Sequence, residues 1–429
     1  MTQRDLITGH VLQFRGNPFT QHWAEAVSIA ENSAVLIENG TIVAVGEAAR
    51  VSGPDVTLHD HSGRLVCPGF VDAHVHYPQT AIIASWGKRL IDWLNTYTFP
   101  EEMRLADPAY ARTIADRYLD LALDHGTTSV ASYATIHPTS VDALFEAAAA
   151  RGMAVVAGKT CMDRNAPNGL RDTAQSAYDD SKALLDRWHG KGRAQYAITP
   201  RFSPTSTPEQ LTALGALWSE RPDVLMQTHL SEQVDEIAWV QDLFPEARDY
   251  LDTYEATGLL GARGVYGHSI HLTPREVARL SEVGASVVHC PTSNTFIGSG
   301  LFDLMGLARA GQCVGLATDT GGGSSFSMLR TMAAAYEVAQ LRGAAVHAAQ
   351  LLWLATAGSA RALHRHDHLG AIAAGMDADL CILDLTSTPA ITQRAAQADH
   401  IWDAVFPTIM MGDNRAVAQV WVGGKPRPT

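Results

Sequence analysis

A chain of 429 residues is too long for one small core, although an α/β barrel of about 250 residues counts as a single domain. With 46% hydrophobic and 18% charged residues and no low-complexity tract, the composition is that of a globular enzyme and excludes extensive disorder. The formal charge of −13, from 32 Lys+Arg against 45 Asp+Glu without a basic cluster, argues against nucleic acid or an anionic membrane as partner and suits a weakly charged small molecule.

Residues 1 to 66 read as short strands between turns, "HVLQF", "SAVLIENGTIVAVG" and "VTLHDHSGRLV". Apolar side chains alternate at Val35 and Ile37 and again at Val43 and Val45. Asn39-Gly40 lies between these runs and predicts a hairpin, since both residues tolerate positive φ. From about residue 68 the texture changes to short apolar runs alternating with helical patterns. "PAYARTIADRYLDLALDHG" precedes Thr127–Ala131, and "AVVAGKTCM", "AQYAITPRF", "VLMQTHLSE", "GVYGHSIHL", "ASVVHCPTS" and "CVGLATDTG" follow in turn. Strand-then-helix alternation implies a parallel sheet, and seven or eight such units over about 300 residues fit a closed (β/α)8 TIM-like barrel. The chain ends in strands again, "ADLCILDL" and "VAQVWVGGK", after a turn-rich "GAIAAGMDAD". The expected architecture is α/β: the barrel over 68–369, and a small β-sandwich made from both termini, 1–67 and 370–429.

Five cysteines, Cys67, Cys161, Cys290, Cys313 and Cys381, are dispersed and lie mostly in apolar stretches. Free thiols in a reducing compartment are therefore expected, and no Cys-x-x-Cys pair offers a thiolate zinc site. The start "MTQRDLITGHVLQF" lacks a charged-then-apolar pattern, and no apolar run reaches spanning length, so the expected location is the cytoplasm.

The chemistry concentrates where barrel strands end, which is where active sites of such barrels sit. In "PGFVDAHVHYPQT" His74 and His76 are two apart, so in a strand both imidazoles share one face. Other runs end in His229, with Glu232 three residues later, in His268 and in Asp319, while Arg201 ends "ITPRF" and Lys159 follows "AVVAG". Taken singly, each has a structural explanation: a hydrogen-bonded strand-end histidine, or an aspartate in a turn. Taken together, three imidazoles and a carboxylate on one face make a sufficient shell for a zinc or iron ion holding a water.

"PGFVDAHVHYPQ", "THLSE", "GHSIHL" and "ATDTGGG", in this order and spacing, resemble the amidohydrolase superfamily of metal-dependent hydrolases. The resemblance covers nearly the whole chain. Within it, "IDWLNTYTFPEE", "PRFSPT", "HLSEQVDEI" and "HCPTSN" look like the branch that deaminates guanine. The resemblance implies one zinc ion per chain, with iron possible, bound by His74, His76, His229 and Asp319. It implies Glu232 as proton shuttle, His268 against the activated water, and Gln79 and Arg201 bonded to the purine with Phe202 beside it. It also implies a homodimer. The sequence departs from the pattern at Thr320, where an aliphatic residue is usual, and at Ile270-His271.

The implied reaction is hydrolytic deamination of guanine to xanthine and ammonia. Attack at C2 needs an activated water, a role suited to zinc, and a base within reach of that water, a role suited to Glu232. Arg201 offers a donor fork for the carbonyl O6, Gln79 a donor and an acceptor; a site built on these bonds would reject adenine. Other readings stand beside it: deamination of a pterin, triazine or different purine; a binuclear cyclic-amide hydrolase with Lys159 carbamylated; or a barrel without catalysis, serving as a scaffold. "TGGGSS" lacks the Gly-Lys-Ser/Thr ending of a P-loop, and the Pro-Cys-x-x-Cys signature of the other zinc deaminase fold is absent.

Overall fold

A computed structural model describes residues 4–53, 55–86 and 89–427. By compactness the chain divides into two units, one of residues 1–72, 121–129 and 326–429, the other of 73–120 and 130–325.

The first unit is built on a sheet that joins the two ends of the chain. Its strands are β1 (Arg4–Phe14), β2 (Val27–Glu38), β3 (Thr41–Glu47) and β4 (Thr57–Pro68) from the N-terminal part. From the C-terminal part come β14 (Leu380–Leu383), β15 (Val417–Val422) and β16 (Lys425–Pro426). Among the described residues they run in the order β16-β15-β14-β4-β1-β2-β3, antiparallel except for β1 with β4. The expected hairpin is present: Asn39 and Gly40 take φ of 50° and 87° between paired Glu38 and Thr41. The two-residue side-chain period sorts the apolar residues onto two faces. Val35 and Ile37 join a cluster with Ile7, Ile382 and Trp421, while Ala34 and Leu36 join Leu6 on the opposite side. Compact grouping also assigns the helices Met328–Leu341 and Ala348–Trp353 to this unit.

The parallel sheet consists of β5 (Phe70–His76), β6 (Thr127–Tyr133), β7 (Ala154–Gly158), β9 (Ala194–Pro200), β10 (Leu225–Leu230), β11 (Gly264–His268), β12 (Ser286–His289) and β13 (Cys313–Leu316). A two-residue β8 (Thr160–Cys161) adds to β9. Their order follows the chain, and β7 with β9, β9 with β10, β10 with β11, β11 with β12 and β12 with β13 pair in parallel. Backbone bonds just past β13 bring the ends together: Asp319 N donates to His74 O (3.0 Å) and His76 N to Thr320 O (2.5 Å). The sheet is therefore a nearly closed TIM-like barrel. Its strands are almost wholly buried, even where they carry polar residues as in Thr127–Tyr133, because both faces are covered.

Candidate functional site

The sequence-derived candidates lie in the second unit, and the proposed metal and substrate residues, though not Lys159, converge at the C-terminal ends of the strands. Alternation along β5 puts His74 and His76 on one face, their rings 5.3 Å apart. His229, from β10, faces them: its Nε2 is 3.1 Å from Nε2 of His76, and its ring centre lies 4.8 Å from that of His74. Asp319 brings Oδ1 to 3.6 Å from His74 Nε2 and 3.5 Å from His76 Nε2. Its Oδ2 lies 3.8 Å from His268 Nε2, and His268 Nε2 is 3.5 Å from Oε2 of Glu232.

The strand ends are bent to achieve this. His268, Asp319 and Ser231 hold positive φ (64°, 48° and 48°), a region costly for residues other than glycine and common where function requires it. Gly267 makes room as well. A Cβ there would stand 2.5 Å from Cε1 and 2.7 Å from Nδ1 of His74, so the residue before His268 must lack a side chain for the imidazole to occupy its place.

Hydrogen bonds fix the tautomers. Nδ1–H of His229 donates to the carbonyl of Arg201 (2.7 Å), and Nδ1–H of His268 to Oδ1 of Asn294 (2.8 Å), so both rings turn Nε2 inward as acceptors. Burial, followed by the neighbouring imidazoles, holds His74, His76 and His229 well below the usual histidine range. They are neutral rings with lone pairs to offer. The Nε2 atom of His74 is buried without a hydrogen-bond partner, an expensive condition unless something else satisfies it. With His76 Nε2 3.1 Å from His229 Nε2 and Asp319 Oδ1 within 3.5–3.6 Å of His76 and His74 Nε2, these neutral imidazole nitrogens and the carboxylate are spaced as donors to a divalent ion bound at about 2.0–2.2 Å. His74, His76 and Asp319 form one group able to hold a metal; His74, His229 and His268 form another that overlaps it.

Glu232 is wholly buried beside this donor set. Burial pushes its carboxyl up to about 7, against the opposing effect of a hydrogen bond from Ser299 Oγ to Oε1 (2.8 Å). The backbone beneath it is fixed by Glu236, whose Oε2 accepts N–H bonds from Glu232 (2.9 Å) and Gln233 (3.0 Å), and whose Oε1 accepts from Tyr250 (2.7 Å). Gln79, Arg201 and Phe202 line the same pocket as His76, His229, Glu232, His268 and Asp319. Leu90, Trp93, Leu94 and Ile297 close its apolar side.

Lys159 is elsewhere. Its ammonium is fully buried in an ion pair with Asp172 (2.6 Å) and does not line the pocket, so it is engaged as a cation and not as a bridge between metals. The two departures from pattern sit around the site. Thr320 pairs its hydroxyl with Thr318 (3.1 Å). Ile270 and His271 donate backbone N–H bonds to Ser231 O, and the His271 ring bonds to Ser299 O (2.8 Å).

Sequence reasoning missed several participants. Glu102 accepts hydrogen bonds from both Gln79 Nε2 (2.9 Å) and Arg201 Nη1 (2.7 Å), and lies inside the quoted "FPEE". Asn294 closes the quoted "HCPTSN", and Gly267 opens "GHSIHL". Tyr133 packs its ring 4.7 Å from His76, 4.8 Å from His74 and 4.8 Å from His229, and neither it nor Ser299 carries any local signal.

Comparison with known proteins places the chain among hydrolases of one family. The model of the "Amidohydrolase family" matches residues 65–427. Guanine deaminase of Escherichia coli (strain K12) is 43% identical over 405 residues, covering 94% of this chain and 92% of that one. The solved structure of the E. coli enzyme superposes with a TM-score of 0.96 at 40% identity, covering 99% of both chains. A guanine deaminase from C. acetobutylicum with guanine bound in its active site gives 0.90 at 25% identity, over 99% of this chain and 100% of that one. The chain belongs to the amidohydrolase family of metal-dependent hydrolases.

Proposed function

We propose that this chain deaminates guanine to xanthine and ammonia, using water and one zinc ion held by His74, His76, His229 and Asp319. The observation that carries the reading is the meeting, in one pocket, of His76, His229 and Asp319, with His74 grouped beside them, with the Glu232 carboxyl and with the polar pair Gln79 and Arg201. The relatives named guanine deaminase, and the guanine held by one of them, support the choice of substrate.

A bound zinc ion supplies a water whose pKa is lowered to about 7. Everything else falls to the side chains. Glu232 reaches into the pocket next to His268 Nε2, where a base must stand to take a proton from the attacking water. The same carboxyl returns that proton to the ring nitrogen beside C2 as the oxygen bonds to C2, and the remaining proton of that oxygen then passes to the amino group, so that the C2–N bond breaks, ammonia leaves and C2 becomes a carbonyl. Asp319 directs Oδ2 toward His268 and can accept a hydrogen bond that orients the nucleophile. His268, with its Nδ1 committed to Asn294, acts on the attacking oxygen through Nε2. Arg201 donates to O6 and Phe202 packs beside the ring.

The reading also carries a homodimer in the cytoplasm and a catalytic barrel spanning 68–369. Free cysteines, of which Cys67, Cys161, Cys290 and Cys381 are buried, support a reducing compartment, and no helix among the described residues is long and apolar enough to cross a membrane. The test is ammonia release and ultraviolet absorbance with guanine, adenine, a pterin and an aminotriazine. Guanine should react fastest, and a chelator should stop it until zinc is restored. Failure of guanine while another ring reacts would overturn the assignment.

A further inference from the structure

The helix Phe99–Met103 carries Glu102 to the pocket wall, where the side chain is 1% exposed. One carboxylate oxygen accepts Nε2 of Gln79 and the other accepts Nη1 of Arg201. Phe99, on the same short helix, sets its ring 5.6 Å from the Arg201 guanidinium carbon. Gln79 and Arg201 are far apart in sequence, and Glu102 ties them into one unit.

We propose that Glu102 is a positioning residue that sets the specificity of this site for a ring carbonyl beside a ring N–H, that is, for lactams. The inference rests on the deaminase reading above. A carboxylate paired with a guanidinium only accepts hydrogen bonds. Gln79 must therefore turn its amide nitrogen toward Glu102, which leaves its carbonyl oxygen for the pocket it lines. Arg201, anchored through Nη1, keeps the rest of its donor fork for the ligand. The wall then offers an acceptor and a donor side by side. Guanine complements this with N1–H and O6. Adenine presents an amino donor and a bare ring nitrogen at the same edge, opposing donor to donor and acceptor to acceptor. Without the carboxylate, the Gln79 amide has two orientations of similar merit and the discrimination weakens.

Calorimetric titration of zinc-loaded protein with hypoxanthine (a lactam lacking the 2-amino group) and with adenine reads this without turnover. Wild type should prefer hypoxanthine by roughly 100-fold or more, the scale for a site that leaves buried polar groups mispaired with the wrong ligand. Glu102→Gln keeps volume but lets both amides flip, and should reduce that preference at least tenfold. Glu102→Asp keeps the acceptor-only chemistry and should retain more of the preference than Glu102→Gln, the reverse of the order for a space-filling role. Any other order overturns the proposal, as does a wild type with no preference for hypoxanthine, whichever variants fold. Wild type that releases no ammonia from guanine would sink the deaminase reading itself. Wild type that does so, beside Glu102→Gln with its preference intact, would sink only the role of Glu102.

Discussion

Gly267→Ala isolates how closely the imidazoles are packed. The added methyl would sit 2.5 Å from Cε1 and 2.7 Å from Nδ1 of His74, where ordinary contact begins near 3.4 Å. His74 must therefore retreat by about 0.9 Å, and it has little room, being 1% exposed with His76, His229, His268 and Tyr133 around it. Gly267 does not hold a positive φ, so the backbone itself has no reason to object to alanine. A misplacement near 1 Å in such a site costs on the order of 100-fold in rate, and disturbed ligand orientation costs about 10- to 100-fold in metal affinity. The assay is zinc content after dialysis against a graded chelator, paired with guanine turnover and a thermal melt. Weakened zinc retention together with a fall in kcat/KM near 100-fold is expected. Wild-type zinc affinity in a folded Gly267→Ala protein would refute the claim that His74 is held in place to bind an ion.

Glu232→Gln should leave zinc content unchanged and lower kcat by about 10²- to 10⁴-fold, as loss of a proton-transfer group does; a single-turnover assay decides it. Lys159→Met should leave zinc stoichiometry at one per chain, since the lysine is paired with Asp172 away from the pocket. It should cost about 3–5 kcal/mol in a urea melt, because Asp172 would be buried without its counter-ion. Two metals per wild-type chain, falling to one in Lys159→Met, would reinstate the binuclear alternative. Zinc should also raise the melting temperature, since binding to the folded state alone adds stability by mass action; a calorimetric scan with and without chelator measures it.

The metal-competent side chains were legible because strand ends carry them. A two-residue spacing in an apolar run places His74 and His76 on one face before any coordinate is known, and His229, His268 and Asp319 each close a run of the same kind. Glu102 was not legible in this way. It lies on a five-residue helix in a long connection after β5, and its role exists only because the fold brings Gln79 and Arg201 to it. Tyr133 reads in the sequence as an ordinary strand aromatic, and its place among three imidazoles follows from barrel geometry. That the two β-rich ends form one unit is legible in the sequence, but the pairing of β14 with β4 and its register, with Cys381 opposite Cys67, are not. Register is decided by side-chain packing across strands that no local pattern records.

The bonds from Asp319 N to His74 O and from His76 N to Thr320 O join two segments separated by nearly 250 positions, and three of the residues they join, His74, His76 and Asp319, form a group able to hold a metal. Closing the ring thereby also assembles that donor group. A nascent polypeptide still missing its last barrel strand has His74 and His76 but no carboxylate opposite them. The group of His74, His76 and Asp319 is therefore complete only when the final turn of the cylinder docks on the first.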